Sequence, residues 1–405
     1  MLETLRSVMR FRRFEADPVA RRLERVASVA DLRAIARRRL PRGVFDYIDC
    51  AAEDERTLAA NADAFARVTY RPRVLRGVGS IDTATTLLGR PLAYPLVLAP
   101  TGFTRIADPQ GELAVARAAA RAGLPYALST LGTRSMEEVA AVSDGRKWFQ
   151  LYMFKDRGLV VDMLARAKAS GFEALVFTVD LVVHGRRERD VRNGFTLPPA
   201  LGPGTLLDGA LHPSWTWAFA RAEPIRFANV AGSHVGDGST PIDLADYMHH
   251  ALDGGLSWAD VEWIRSVWDG PIVMKGVQTV ADAVLAADAG IEAVALSNHG
   301  GRQLDGAPAI LDLVPPVADA VGGRVEIICD GGVRRGSDIV KAVALGANAC
   351  MAGRAYLYGL GAAGERGVDF VLDLFLADMR RVMALLGAPD LASLTPDLMD
   401  WRPAG

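Results

Sequence analysis

Long apolar runs are missing from this 405-residue chain. No stretch of about 18 uninterrupted apolar residues occurs, which argues against a membrane-spanning helix. The N-terminus also lacks the apolar core of a secretory signal. Cysteine is scarce: Cys50, Cys329 and Cys350 are the only three. They are scattered and odd in number, so no disulfide framework or zinc spacing emerges, which suits a reducing cytoplasm. An excess of one charge is lacking too. The 46 basic and 48 acidic residues give a formal charge of −2, a poor basis for binding nucleic acid or another polyanion. There are six histidines, not clustered at ligand spacing, and His249-His250 falls in an irregular region, so a metal centre is disfavoured. No strand-like run leads into a G-x-G-x-x-G segment that opens a helix, which disfavours a dinucleotide-binding fold.

What is present is a repeated local grammar. Half of the chain is apolar, and a short apolar run ending in polar or glycine residues recurs eight times, each time followed by a helix-like segment. The runs are Leu96–Pro100, Tyr126–Thr130, Lys147–Tyr152, Ala174–Asp180, Ile272–Val277, Ala293–His299, Glu326–Gly332 and Cys350–Arg354. They lack the polar alternation of a sheet with one wet face and read as strands buried on both sides. The intervening segments Glu112–Ala122, Leu159–Ser170, Val280–Ala289 and Ser337–Leu345 each stop at or near a glycine, the usual end of a helix. The pattern predicts an α/β fold of the (β/α)8 TIM-barrel type, with an open doubly wound sheet as the competing arrangement. Residues 1–28 read as a basic arm, since residues 1–42 carry twelve arginines against five acidic residues. Residues 29–395 read as the barrel domain, with helices over 29–66 ahead of the strands, and 396–405 as a tail. An insertion at about 195–256 follows strand four and is far longer than ordinary connections. It holds Trp215, Trp217, Phe219 and Phe227, then a Gly/Ser-rich run over 232–240. A lid, a membrane- or subunit-facing surface, and a mobile loop are all consistent with it.

Barrel chemistry sits at the C-terminal ends of the strands. There the sequence places Gln150-Leu151-Tyr152, Thr178-Val179-Asp180, Lys275-Gly276, Ser297 to Arg302, Asp330 to Gly336 and Gly353-Arg354. Strands seven and eight of barrels commonly bind phosphate. Gly331 and Gly332 let main-chain amides approach an anion, a helix start at Ser337 would add its positive end, and Arg334 and Arg354 would add forked contacts. A turn with solvated arginines is the alternative. His299 is suited to act as a general base near neutral pH, with Asp180 as its orienting carboxylate. Arg302 is suited to hold a substrate carboxylate by two parallel hydrogen bonds.

Ser297-Asn298-His299-Gly300-Gly301-Arg302-Gln303-Leu304-Asp305, together with Asp330-Gly331-Gly332-Val333-Arg334-Arg335-Gly336, resembles the FMN-dependent 2-hydroxy-acid oxidase/dehydrogenase family. Phe45-Asp46-Tyr47, Ala52-Glu53-Asp54-Glu55, Ala99-Pro100-Thr101-Gly102 and Phe149-Gln150-Leu151-Tyr152 add to the likeness, which spans roughly residues 29–395. The segment from Ser257 to Gly276 is most similar to the bacterial quinone-linked L-lactate dehydrogenases of that family. The resemblance implies FMN as cofactor and oxidation of a small L-2-hydroxy acid, L-lactate to pyruvate above others. It implies His299 as the base, Asp180 stabilising its imidazolium, and Tyr152 hydrogen-bonding the substrate oxygen. Arg302, Tyr47 and Arg187 would hold the carboxylate. Lys275 would face the flavin N1–O2 edge. Ser129, Gln150, Thr178 and the backbone at Ala99, Pro100 and Thr101 would hold the ring, and Ser297, Asp330, Arg334, Gly353 and Arg354 the ribityl chain and phosphate.

The chain departs from the family pattern in places. Leu131 stands where glycolate-using members carry a tryptophan, which opens the pocket to lactate or larger acids. Leu181-Val182-Val183-His184 follows Asp180 where a proline is usual. Gly102 replaces an alanine found in some oxygen-using members and leans toward a dehydrogenase. With no haem-binding segment before the barrel in this sequence, electrons are expected to leave to a separate quinone or cytochrome. Oxygen is the alternative acceptor, in an oxidase or monooxygenase acting on mandelate-like or longer hydroxy acids, and a flavin-binding barrel without turnover is the third reading. The basic arm and the aromatic insertion raise peripheral contact with the inner face of the cell membrane. The resemblance also implies a homotetramer.

Overall fold

The computed structural model describes residues 15–194, 202–230 and 251–402. Eight parallel strands close a barrel in sequence order: β1 Leu96–Leu98, β2 Tyr126–Ser129, β3 Lys147–Leu151, β4 Ala174–Thr178, β5 Ile272–Val277, β6 Ala293–Ser297, β7 Glu326–Asp330 and β8 Ala349–Ala352. The expected (β/α)8 barrel is therefore what the chain forms. Every strand but the fifth ends one or two residues before its predicted run does. Asp180 and His299 thus stand on loops just beyond their strands.

Successive side chains of a strand point to opposite faces, and here both faces are buried. Ala127, Trp148, Ala174, Val176, Val273, Ala293, Ala295, Ile328, Ala349 and Met351 fill the interior. Their neighbours Leu128, Phe149, Leu175, Phe177, Met274, Val294, Leu296, Ile327, Cys329 and Cys350 pack outward against the helices. This two-sided burial is why the runs show no polar alternation. All three cysteines are buried and unbonded to one another. A hairpin of Thr85–Leu87 and Arg90–Leu92 closes the N-terminal end of the barrel, with Leu87 and Leu92 joining the interior cluster.

The helices Glu112–Arg121, Arg157–Ala169, Val280–Asp288 and Gly336–Ala344 match the predicted ones within two residues. Helices Val29–Arg39, Arg42–Asp49 and Arg56–Arg67 precede the barrel. The described part of the basic arm, from residue 15, also forms a helix, Pro18–Leu23. Arg22 donates to the Ala362 carbonyl at 2.8 Å, and Leu23 and Val26 are buried. Helix Arg354–Ala363 lies close to its neighbours because it carries Gly359 and Gly361. A Cβ on the first would come within 2.4 Å of the Gly367 carbonyl oxygen, and one on the second within 2.8 Å of a Leu40 methyl.

In the insertion, helices Pro203–Leu211 and Pro213–Arg221 bury no residue fully. Trp215 donates to the Ile106 carbonyl at 2.7 Å and stacks on Phe219. Phe227 is buried against Phe103. Leu206, Leu211 and Trp217 remain about two-thirds exposed, at 63%, 70% and 65%. The Gly/Ser-rich run at 232–240 and His249-His250 lie outside the described residues. Among the described residues no helix is long and apolar enough to cross a membrane.

Candidate active site

The alternation that fills the barrel interior also builds the site. One step beyond the apolar inward positions, six consecutive strands present Ser129, Gln150, Thr178, Lys275, Ser297 and Asp330, so the top layer of the barrel is polar where those beneath it are apolar. Ser129 and Gln150 are register partners, as are Thr178 and Lys275, and Ser297 and Asp330. Lys275 is buried, and its Nζ lies 3.1 Å from Asp330 Oδ2 and 3.1 Å from Ser297 Oγ. Ser297 donates to the same Asp330 oxygen at 2.7 Å. Burial alone would lower the Lys275 pKa, but Asp330 and Asp180 outweigh it and hold the ammonium above its usual value. The group is a fixed positive charge in the floor of the site.

Above this layer, His299 Nδ1 lies 2.9 Å from Asp180 Oδ1. Burial pushes the Asp180 carboxyl up, yet the His299 charge and hydrogen bond, with Lys275 behind, bring it below the ordinary carboxylate range. The other imidazole nitrogen, Nε2, faces the Tyr152 hydroxyl at 3.4 Å. Burial, reinforced by Asp180, keeps that phenol protonated by raising its pKa. His299 has a φ of +57°, a left-handed conformation costly for a residue with a side chain. The turn is fixed by its amide on Ser297 Oγ at 3.1 Å and by Asn298 Oδ1 accepting from Gly301 at 3.1 Å. Strand β5 bulges at Gly276, where φ is +108° and a Cβ would strike that of Asp180 at 2.7 Å. Glycine there makes room for the carboxylate.

Two cations face the same region. Arg302 and Arg187 lie 5.2 and 5.1 Å from the centre of the Tyr47 ring. Arg302 Nη1 donates to the carbonyls of Tyr47 at 2.8 Å and Cys50 at 3.1 Å, which fixes the fork. Arg187 Nε pairs with Asp190 at 3.1 Å. His299, Tyr152, Tyr47, Arg187 and Arg302 line one cavity with Ala99, Pro100, Thr101, Ser129, Lys275, Asp330, Gly331, Gly332, Arg334, Gly353 and Arg354. Its atom-free space, mouth included, is about 1230 Å³. Asp180, Gln150, Thr178 and Ser297 stand directly behind this lining. The structure therefore gathers the predicted residues at one rim of the barrel.

The residues fit FMN on observations of the site itself. Gln150 Nε2 and Thr178 Oγ1 are buried without a hydrogen-bond partner, a costly state that a ring carrying carbonyl and imino groups would relieve. At the far end, Arg354 donates to the carbonyls of Ile48, Gly300 and Cys50 at 3.1, 2.8 and 2.8 Å. Burial, with the Arg302 charge beside it, pushes its pKa down to about 10. A cation so placed is stabilised by an anion. The helix it opens, Arg354–Ala363, starts at Gly353 with no side-chain cap, so its end amides suit a phosphate.

The helix after β7 does not have the expected role. Amides at and just before its start are already taken: Ser337 N donates to Asp378 at 3.0 Å, and Arg334 N and Arg335 N, ahead of the helix, donate to Asp338 at 2.8 and 2.9 Å. Protein carboxylates thus take the helix-start amides, while Gly331, Gly332 and Arg334 line the cavity with Gly353 and Arg354, and the helix start without a side-chain cap is the one after β8. Gly331 and Gly332 also answer to packing. A Cβ on either would press on Asn61 of helix Arg56–Arg67, at 3.2 and 2.4 Å.

Sequence reasoning missed the work of Gln303. Its Nε2 donates to the carbonyls of Asp180 and Val183 at 3.0 Å each, and its Oε1 accepts from Gly185 at 3.2 Å. It therefore staples the loop after β4. Leu181 and His184 of that loop line the cavity mouth. No periodicity marks such residues, although Gln303 sits inside the motif.

Comparison with known proteins agrees with this geometry. The FMN-dependent dehydrogenase family matches residues 36–401. A putative L-lactate dehydrogenase of Mycobacterium tuberculosis is 44% identical over 97% of this chain and 93% of its own length. An L-lactate dehydrogenase of Caulobacter vibrioides is 46% identical over 93% of this chain and 98% of its own length. Among solved structures, (S)-mandelate dehydrogenase, described as a monotopic membrane protein, superposes with a TM-score of 0.90 at 39% identity, covering 93% of this chain and all of that one. On the fold, the cavity and these relatives together, the chain belongs to the FMN-dependent dehydrogenase family and is an oxidoreductase that works with FMN.

Proposed function

We propose that this protein oxidises an L-2-hydroxy acid, foremost L-lactate to pyruvate, and passes the electrons to a separate carrier such as a quinone or cytochrome. The observation that carries the reading is the convergence of a carboxylate-backed imidazole and two guanidiniums on one end of the cavity, over a floor with unpaired donors. Arg302, Arg187 and Tyr47 bind the substrate carboxylate and orient its carbinol carbon toward the floor. Tyr152 donates to the hydroxyl oxygen. His299 Nε2 takes the hydroxyl proton, and Asp180 stabilises the imidazolium so formed. FMN, when bound, supplies the two-electron acceptor. Ser129, Gln150, Thr178 and the backbone at Ala99–Thr101 would hold its ring, Lys275 would set a fixed positive charge beside it, and Ser297, Asp330, Arg334, Gly353 and Arg354 would hold its side chain and phosphate. Orientation and fixed charge provide most of the acceleration. The test is anaerobic addition of L-lactate to the yellow holoenzyme. Bleaching is expected; a band unchanged by lactate, mandelate and glycolate alike would defeat the proposal in favour of a barrel that binds flavin without turnover.

A second reading, oxidation of a mandelate-like acid, draws on the similarity to (S)-mandelate dehydrogenase and on Leu131 and Gly102 at the cavity wall. Relative kcat/KM for lactate and mandelate decides between the two. Peroxide released in air at the turnover rate would assign oxygen as acceptor instead of a carrier.

The exposed apolar residues of the insertion, with Arg221 stacked 4.8 Å over Trp217 and Arg37 and Arg38 exposed nearby in sequence to the arm, support peripheral contact with an anionic membrane at the inner face of the cell membrane. Sedimentation with anionic but not neutral vesicles tests this. The assembly is expected to be a homotetramer, which light scattering measures directly.

A further inference from the structure

Residues 46–55 are held from two sides. Toward the cavity they offer main-chain carbonyls: Arg302 and Arg354 share that of Cys50, Arg302 also takes that of Tyr47, and Arg354 that of Ile48. Away from it they offer carboxylates, and three of these converge on one guanidinium. Arg189 Nη1 lies 3.1 Å from Asp46 Oδ1 and 3.0 Å from Asp49 Oδ2. Its Nε and Nη2 make a paired contact with Glu55 at 2.8 and 3.0 Å. Asn193, one turn on, donates to the second Asp46 oxygen at 2.6 Å, and Glu53 N donates to the Arg186 carbonyl at 2.9 Å. To reach this geometry both Glu53 and Glu55 adopt left-handed backbone, with φ of +46° and +62°, a conformation that side chains oppose.

Arg189 stands on the short helix Glu188–Arg192, two residues after Arg187. Tyr47 stands between Asp46 and Asp49 on the helix that Arg189 grips. Arg187 and Tyr47 come from segments 140 residues apart in the chain; the Arg189 cluster joins those segments through three carboxylates, beside the Cys50 Sγ–Asp190 contact at 3.5 Å and Arg187 over the Tyr47 ring. We infer that Arg189 is a positioning residue for the substrate: by tying the loop after β4 to the Tyr47 helix, it makes Arg187, Tyr47 and Arg302 one continuous carboxylate-binding face. The inference rests on the reading of those three as the carboxylate site. An arginine is required because four carboxylate oxygens are served at once, two of them by a parallel fork, and the three donors on a single lysine nitrogen cannot match that. A lysine satisfies part of the set.

The experiment uses the FMN-loaded protein and four variants: Arg189→Met, Arg189→Lys, Tyr47→Phe and the Arg189→Met/Tyr47→Phe double. Two readouts are taken: steady-state kinetics with L-lactate, and the dissociation constant of oxalate from the change in flavin absorbance. Oxalate carries the carboxylate without a transferable hydrogen. Arg189→Met is expected to raise KM and the oxalate constant about tenfold while kcat and FMN content stay near normal, with Arg189→Lys recovering part of the loss. On the Tyr47→Phe background the same change is expected to add no more than about threefold, because part of its effect passes through Tyr47. A normal KM and oxalate constant in Arg189→Met, alongside a defective Tyr47→Phe, would overturn the positioning role alone. Normal values in both would overturn the carboxylate reading beneath it, and full additivity in the double variant would reduce Arg189 to general stability and so refute the inference. Should Arg189→Met fail to fold, Glu55→Gln keeps the guanidinium and loosens its paired contact. A KM raised about threefold is then expected, and an unchanged KM is the opposing result.

Discussion

A methyl group built on Gly102 would lie 2.9 Å from the Leu131 Cβ. Both residues line the cavity, so the room left for a substrate side chain depends on the pair rather than on either residue. Gly102→Ala is expected to crowd the wall and lower kcat/KM for mandelate relative to lactate by about tenfold, the worth of a small steric change in a pocket. Leu131→Ala is expected to move the same ratio upward. A ratio unmoved by both variants would place the substrate side chain elsewhere.

Replacing His299 by Gln keeps a ring-sized polar group but no base. Turnover is expected to fall by about 10²–10⁴ with FMN retained, the usual contribution of general base catalysis. Stopped-flow bleaching of the holoenzyme by lactate measures it, and a near-normal rate would remove His299 from that role.

Asp180 carries a pH prediction. Its folded pKa lies below the usual carboxylate value. Its contribution to stability is therefore present above the unfolded carboxylate value, about 3.9, and is lost as pH falls through the lower folded value. The stability difference between wild type and Asp180→Asn is expected to be constant from neutral pH to mildly acid conditions and to shrink only below about pH 4. Urea denaturation at several pH values checks this. A difference that disappears near pH 6 would mean that the carboxyl is held above its usual value instead.

Arg302→Lys retains the charge and loses the fork. Lactate KM is expected to rise by about tenfold or more while FMN affinity changes little. Equal losses in both would show that Arg302 serves the cofactor as much as the acid.

Lys275 is held in its charged form. Its stabilising contribution is present below the unfolded lysine value and is lost only as pH rises through the still higher folded one, so it adds no pH dependence near neutrality. Lys275→Met is expected to lower the potential of bound FMN by on the order of tens of millivolts, since a fixed cation favours the anionic reduced ring. Spectroelectrochemistry reports it, and an unchanged potential would separate this ammonium from the flavin.

Much of this was legible because it follows from backbone period and strand order. Eight apolar runs with glycine stops specify a barrel, and period-two alternation then brings Ser129, Gln150, Thr178, Lys275, Ser297 and Asp330 to one level without any tertiary information. What the residues did not reveal depends on contacts distant in sequence. Nothing local tells that the Asp378 and Asp338 carboxylates close off the helix after β7, or that Gly332 is small because Asn61 lies against it. Asp305 sits within the recognisable motif, yet it caps another element, accepting from Thr57 N at 2.8 Å at the start of helix Arg56–Arg67. A motif preserves such residues without stating what each one touches.

The Cys50 carbonyl accepts from Arg302 and Arg354 together. If Arg302 holds the acid and Arg354 the prosthetic group, as proposed, a single peptide plane couples the two tasks. On the proposed roles, a flavin phosphate at Arg354 would add a further hold on the same peptide that aims Arg302. Hydroxy-acid affinity is accordingly expected to be weaker in the colourless polypeptide than in the FMN-loaded one, and calorimetry with oxalate on both forms measures the difference.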